Sequence, residues 1–115
     1  MGFVYLLGEF GKEGVYKIGV TTGKIENRIK KLQTGNSCEI YLVDSYETDH
    51  PFIMEKMLHT KYFADRKLGE WFELPHEELV NFTETCEKMQ KNIDALNENY
   101  FFNKKFKKNN IDYEL

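Results

Sequence analysis

Two predicted helices carry residues that could bind an anion or transfer protons. Arg28 lies on the first helix with Ile25 and Leu32 at positions i−3 and i+4, so it projects from near the buried stripe. Glu55 and His59 are four residues apart on the second helix, so their side chains share one face. An arginine can neutralise an anion, and a carboxylate near an imidazole can serve in acid–base chemistry.

Each of these residues also has an ordinary interpretation. Tyr62 continues the face of Glu55 and His59, but a carboxylate–imidazole pair on a helix is usually solvated. Arg28 taken alone is typical of a surface arginine whose stem covers apolar neighbours. Tyr5, in the first predicted strand, is typical of a core tyrosine.

Three other apparent motifs do not predict a binding site. The evenly spaced Gly8, Gly11 and Gly14 fall in a predicted hairpin turn and not between a strand and a helix, so they do not predict a phosphate cradle. The segment 19–24 is one residue short of a P-loop, and Ile25 stands where Ser or Thr is needed. The three histidines and two cysteines lack the spacing of zinc ligands.

Composition places the chain among single globular domains. Its 115 residues are 41% hydrophobic and 30% charged with two prolines, which argues against disorder and collagen-like order. Two distant cysteines fit a reducing compartment, and no apolar run is long enough to span a bilayer. We therefore expect an intracellular, cytoplasmic protein without a membrane partner, located in the host cytoplasm or nucleus if it is viral.

The charge distribution leaves a nucleic-acid partner open. A net charge of −3 argues mildly against such a partner. The acidic excess is concentrated in residues 76–98, however, and the remainder is close to neutral. The chain could therefore still present a local basic face.

The elements that must position these residues follow a β-β-α-β-α-β-α order. Strands are predicted at residues 3–9, 15–21, 39–48 and, as a short extended piece, 69–74; helices begin at Ile25, Pro51 and Pro75. This order predicts an α/β (α+β) fold with a small mixed sheet of three to four strands flanked by helices. We divide the chain into a core (1–75), an amphipathic C-terminal helix (76–100) and a Lys/Asn-rich tail (101–115).

The predicted C-terminal helix is continuous from Pro75 to about Tyr100. Its apolar positions alternate spacings of three and four, which is a heptad seam: Leu79, Phe82, Cys86, Met89, Ile93, Leu96 and Tyr100. We expect the first half to pack on the sheet and the second half, from Met89 onward, to extend beyond what a small domain can cover. This predicts either a homodimer through the stripe or folding back of the cluster at residues 100–102.

The order of several motifs resembles a known family. Four segments are similar to the signature of the GIY-YIG nuclease superfamily: Phe3-Val4-Tyr5, Lys17-Ile18-Gly19, Arg28 and Glu55. Three features resemble a branch common in phage and viral proteins and often called DNA-binding: Tyr16-Lys17-Ile18-Gly19, Glu55 with His59, and Gly69-Glu70-Trp71-Phe72. The resemblance covers residues 2–75.

This resemblance implies a GIY-YIG-like fold and a DNA endonuclease that hydrolyses phosphodiester bonds with one divalent metal ion, Mg²⁺ or Mn²⁺. It implies that Glu55 holds the metal, that Arg28 stabilises charge on the phosphate and that Tyr5 positions or activates the water. We expect His59 to be an auxiliary in proton transfer. The GEWF segment is interpreted as structural, with Trp71 and Phe72 capping the core.

The chain departs from the family signature at two positions. Phe3 replaces the first glycine, and Lys17 replaces the second motif tyrosine. Tyr16 cannot substitute, because strand alternation places it on the opposite face from Lys17. Lys17 is therefore either a general base or a cation that contacts phosphate, in which case Tyr5 or His59 must activate the water.

Three functions remain to be distinguished: the nuclease, a DNA-binding module that does not cleave, and an interaction protein that uses its C-terminal helix. For either DNA-dependent function, the side chains expected to contact phosphates are lysines: Lys24, Lys30, Lys31, Lys104 and Lys105. A solubilising tail is the alternative for the last two.

Overall fold

A computed structural model describes the backbone of residues 1–109 and the side chains of residues 1–97. Within that range the strands are β1 (Gly2–Glu9), β2 (Lys12–Thr21), β3 (Ile40–Thr48), β4 (Arg66–Leu68) and β5 (Trp71–Glu73). The helices are α1 (Ile25–Gln33), α2 (Pro51–Lys61), α3 (His76–Val80) and α4 (Phe82–Asn109), with a 3-10 turn at Phe63–Asp65. The predicted α+β class is confirmed.

The strands form one sheet in the order β3-β1-β2-β5-β4, and every pairing is antiparallel. The prediction of a mixed sheet with three to four strands is wrong in both respects. The additional strand, β4, has three residues that are all exposed. Such a segment has no alternation of buried and exposed residues from which a sequence pattern could identify it.

The two faces of the sheet bury separate apolar clusters. Val4, Leu6 and Ile18 face the larger core, where Met54 and Leu58 of α2 and the buried residues of α4 cover them. On the opposite face, Tyr5, Leu7 and Ile40 pack with Ile29 and Leu32 of α1. Alternation along β1 therefore sends neighbouring residues to different helices.

The C-terminal region is two helices, so the prediction of one continuous helix from Pro75 is wrong. Asn81 separates α3 from α4, with φ −95° and ψ 12°. Its N–H donates to the Glu77 carbonyl at 3.0 Å, and its own carbonyl accepts from Thr85 at 2.9 Å. Asparagine is a weak residue for a helix interior because its side chain competes for backbone hydrogen bonds.

The apolar seam is covered further along α4 than its sequence suggests. Met89 and Ile93 are 9% and 2% exposed and belong to the larger core. The expectation that the helix leaves the domain from Met89 onward is therefore wrong, because α4 packs along β3 and α2. Leu96 is 64% exposed, and the side chain of Tyr100 lies outside the described residues.

Within the described part of the chain, no helix combines the length and the apolar composition needed to cross a membrane.

Candidate active site

The Tyr5 side chain crosses β2 at Gly19. Tyr5 on β1 is paired with Gly19 on β2, and its side chain is 1% exposed. A Cβ on Gly19 would lie only 2.5 Å from Cζ of the Tyr5 ring. The absence of a side chain at Gly19 therefore lets the Tyr5 hydroxyl lie over the second strand.

Arg28 reaches this hydroxyl from α1. Its Nε donates a hydrogen bond of 3.2 Å to the Tyr5 oxygen. That bond is the main cause that raises the pKa of Arg28, so the guanidinium stays charged. Burial raises the pKa of Tyr5 more than Arg28 lowers it, so the phenol keeps its proton at neutral pH.

Glu55 presents an unpartnered oxygen to the same region. Its Oε2 atom is buried and has no hydrogen-bond partner within the described residues. Burial, and then the charge of Glu70, raise the pKa of Glu55, whereas His59, Lys17 and Arg28 lower it. The carboxylate thus lies within the electrostatic reach of all four groups, although α2 covers the other face of the sheet.

A hydrogen bond from His59 joins α2 to the edge of β2. The β5 strand pairs only with Val15, Tyr16 and Lys17, so Ile18 lies just past the end of that ladder. His59 Nε2 lies 2.9 Å from the Ile18 carbonyl oxygen. Because a carbonyl only accepts, Nε2 carries the hydrogen and Nδ1 of a neutral ring is left as an acceptor. This bond fastens α2 to the edge one turn after Glu55.

Lys17 is held between two residues of the GEWF segment. Its Nζ lies 3.1 Å from Oε1 of Glu70 and 5.7 Å from the centroid of the Trp71 ring. Phe72 is fully buried in the larger core, as expected, but Trp71 is only half-buried and faces Lys17. Trp71 therefore does not cap the larger core as expected, whereas Phe72 does, and the sequence interpretation overlooked Glu70.

One protein-family model matches the part of the chain that contains these residues. Residues 2–87 match the T5orf172 domain. The chain belongs to the T5orf172 domain family. The match spans β1 through the start of α4 and so includes Tyr5, Lys17, Arg28, Glu55 and His59. Comparisons with curated proteins and with solved structures found no match.

The T5orf172 domain occurs in phage-like proteins and is often associated with nucleases. Membership of this family therefore indicates a nuclease-associated or DNA-binding module.

One residue of the predicted constellation lies elsewhere in this T5orf172 domain. Tyr62 was expected to share the face of Glu55 and His59. It is instead buried in the larger core, where its hydroxyl donates to Glu78 Oε1 at 2.6 Å. The α2 helix ends at Lys61, and Tyr62 has φ −104° and ψ 17°, so helical spacing no longer determines its direction.

Three of the predicted phosphate-contacting lysines lie on or next to α1, the helix that carries Arg28. Lys24 immediately precedes α1, Lys30 and Lys31 lie in its last turn, and all three are exposed. Arg28 and Lys31 are three residues apart and so lie on one side of the helix, whereas Lys24 precedes the helix with φ −73° and ψ 136°. The side chains of the other two predicted contacts, Lys104 and Lys105, lie outside the described residues.

The site suits a cation with few protein ligands. Among the described residues there is no group of three or more His, Cys, Asp and Glu side chains that could enclose a metal ion. The buried, unpartnered Oε2 of Glu55 nevertheless fits a cation that takes one carboxylate and completes its shell with water and phosphate. Glu55 is therefore suited to hold Mg²⁺ or Mn²⁺.

Proposed function

We propose that this T5orf172 domain is a divalent-metal-dependent DNA endonuclease of the GIY-YIG type. The observation that carries the proposal is the unpartnered Oε2 of Glu55, buried near a charged arginine that is hydrogen-bonded to a tyrosine. A metal-binding carboxylate, a fixed cation and a hydroxyl in one place are what phosphodiester hydrolysis requires.

Glu55 would hold Mg²⁺ or Mn²⁺. When bound, such an ion polarises the scissile phosphate and stabilises the leaving oxygen. The raised pKa of Glu55 reflects burial near another acidic group, which makes a cation a favourable partner for this carboxylate.

Arg28 would neutralise charge that develops on the phosphate oxygens. Its Nε is occupied by the Tyr5 hydroxyl, so the terminal nitrogens remain to donate to a phosphate. The Tyr5 phenol keeps its proton and accepts from Arg28. It can therefore donate its own hydrogen to the attacking water or to a phosphate oxygen, which positions that group.

His59 is the residue best prepared to accept a proton from the water. Its Nε2–H is committed to the Ile18 carbonyl, which leaves Nδ1 as an acceptor when the ring is neutral. Tyr5 is a poorer base because burial raises the pKa of the phenol. The Lys17 Nζ is engaged in an ion pair with Glu70 at 3.1 Å, which suits a cation that contacts phosphate.

The DNA backbone would cross the exposed side of α1. Lys31 shares the side of that helix with Arg28, and Lys24 lies at its N-terminal end, so both can contact phosphates on either side of the scissile bond. The tail lysines, Lys104 and Lys105, would add non-specific affinity through the same release of counterions.

Metal-dependent nicking of supercoiled plasmid is the direct test. Wild-type protein should nick DNA in Mg²⁺ or Mn²⁺ and not in excess chelator. Glu55→Gln and Arg28→Ala should each reduce cleavage by at least about a hundredfold. Glu26→Gln, which removes an exposed acid from α1, is the matched control and should cleave normally.

Two results would contradict the enzyme. The protein could bind DNA and yet cleave no linear, supercoiled or branched substrate with either metal. It would then be a non-cleaving DNA-binding module. Protein that neither binds nor cleaves DNA would leave the interaction protein as the remaining function.

A further inference from the structure

Glu70 forms an ion pair with Lys17, and the proposed reaction assigns Glu70 no role. The Lys17–Glu70 distance is 3.1 Å, and the two side chains are 16% and 39% exposed. The ammonium also lies over the Trp71 ring, which is the cross-strand neighbour of Lys17. The cation is thus confined between a carboxylate and an aromatic face.

Backbone contacts of the β4–β5 turn fix the position of Glu70. Gly69 has φ +57°, a conformation that favours glycine and turns the chain between β4 and β5. The carbonyl of Glu70 accepts a hydrogen bond of 3.0 Å from the N–H of Ile18. Arg66 Nε donates to the Gly69 carbonyl at 3.0 Å, which braces the same turn. The position of Glu70 therefore does not depend on Lys17 alone.

The charge of Glu70 acts on the rest of the site. It is the second-largest cause of the raised pKa of Glu55, and it also raises the pKa of Tyr5 and of Arg28. Glu73 is the other acid of the same hairpin. It pairs with Lys67 at 3.7 Å, and both of those side chains are more than half exposed.

We propose that Glu70 is a positioning residue that holds Lys17 as an ammonium aimed at the substrate phosphate. The inference rests on the proposed phosphodiester chemistry and assigns Lys17 to phosphate binding instead of general base catalysis. An ion pair with a carboxylate and a contact with an aromatic face together restrict where the lysine Nζ can lie. In this proposal the effect of Glu70 on the reaction runs through Lys17, and not through the charge that Glu70 exerts on Glu55, Tyr5 and Arg28.

A double-mutant cycle tests that dependence. Glu70→Gln should lower kcat/KM by about fivefold, the effect of one partly exposed ion pair, and Lys17→Met should lower it further. The double variant should be no worse than Lys17→Met, because Glu70 has nothing left to position. Independent, multiplicative losses would overturn the proposal. Glu73→Gln, the matched control, should leave kcat/KM unchanged in either background.

Lys17→Arg separates the two roles of the lysine. Arginine keeps the cation but cannot act as a base. We expect Lys17→Arg to retain cleavage within about tenfold of wild type, whereas Lys17→Met should lose about a hundredfold. Equal, complete loss in both variants would assign Lys17 to the base and overturn the proposal.

Acylation of lysines provides a readout that needs no activity. In wild-type protein treated with an acetylating reagent and analysed by mass spectrometry, Lys17 should react slowly. Glu70→Gln should accelerate its modification, and Glu73→Gln should not. Equal Lys17 reactivity in all three proteins would overturn the proposal even if the enzyme cleaves. Wild-type protein that never cleaves would refute the proposed function. The acylation rates would then still show whether Glu70 restrains the Lys17 side chain.

Discussion

The Nε of Arg28 donates a 3.2 Å hydrogen bond to the Tyr5 hydroxyl across 23 residues of sequence. The contact joins α1 to β1 on the face opposite the larger core. Tyr5 is nearly fully buried, so the hydrogen bond fixes the guanidinium against a rigid partner. Two side chains of the proposed reaction are therefore in place before substrate arrives, which reduces the reorganisation that the reaction would need.

Tyr5→Phe tests the hydroxyl without disturbing the core. The ring remains, but Arg28 loses its acceptor, so we expect cleavage to fall about a hundredfold with less than about 1 kcal/mol lost in unfolding free energy. Plasmid nicking and thermal melts measure the two effects. Tyr46→Phe, on β3, is the control and should cleave normally. A Tyr5→Phe variant as active as wild type would remove the hydroxyl from the mechanism.

Gly19→Ala tests the path of the Tyr5 ring over β2. A methyl group there collides with the ring, so either the ring or the strand must move. We expect a loss of about 1–3 kcal/mol in unfolding free energy and a larger proportional loss of cleavage. Gly23→Ala meets only Thr21 Oγ1 at 3.9 Å and should be close to neutral. Equal stability of the two variants would contradict the crossing of Tyr5 over Gly19.

Glu55→Gln should alter the pH dependence of stability. The folded-state pKa of Glu55 is raised by burial, so the native state keeps this proton to higher pH than the unfolded chain. Wild-type stability should therefore fall as pH rises from the ordinary glutamate pKa through the raised folded value.

A glutamine at position 55 does not titrate, so the Glu55→Gln variant does not lose stability in this way as pH rises. Glu55→Gln should exceed wild type by up to about 1 kcal/mol at neutral pH, a value limited by the partial exposure of the site, and the advantage should disappear in acid. Metal-free denaturation curves between about pH 4 and pH 8 measure the difference. Glu47→Gln, an exposed acid on β3, is the control. A stability difference that does not vary with pH would contradict the raised pKa of Glu55.

The lysines around Arg28 should appear in the salt dependence of DNA binding. Replacing Lys24 and Lys31 together by glutamine should reduce the slope of log affinity against log salt by about 2, since each phosphate contact contributes about 0.9. The double replacement of Lys56 and Lys61, exposed residues of α2, should leave the slope unchanged. Equal slopes in both variants would place the DNA elsewhere on the protein.

Leu96 is the appropriate position at which to test self-association. It is 64% exposed, whereas Ile93 is 2% exposed and part of the core. If two copies pair through α4, Leu96→Asp should abolish the dimer in light scattering without lowering the melting temperature. Ile93→Asp should instead unfold the domain, because it buries a charge. Wild-type protein that is already a monomer at high concentration would exclude the dimer.

The sequence by itself predicted most of the local elements and named several of the residues that the structure brings together at the candidate site. Aromatic and β-branched residues in 3–9 and 15–21, with turn residues between them, indicated the β1–β2 hairpin. Strand alternation separated Tyr16 from Lys17 onto opposite faces, as the structure has them. Helical spacing placed Arg28 near a buried stripe. These properties depend on neighbours within a few residues, so a short stretch of sequence contains the information.

Only the tertiary structure decided how the elements meet. The register of β5 on β2 brings Glu70 and Trp71 to Lys17, and the end of α2 turns Tyr62 into the core. The burial of Ile93 likewise depends on α4 packing along α2 and β3. Such contacts join residues far apart in the chain, and their geometry depends on the packing of whole elements. Local spacing therefore could not reveal them.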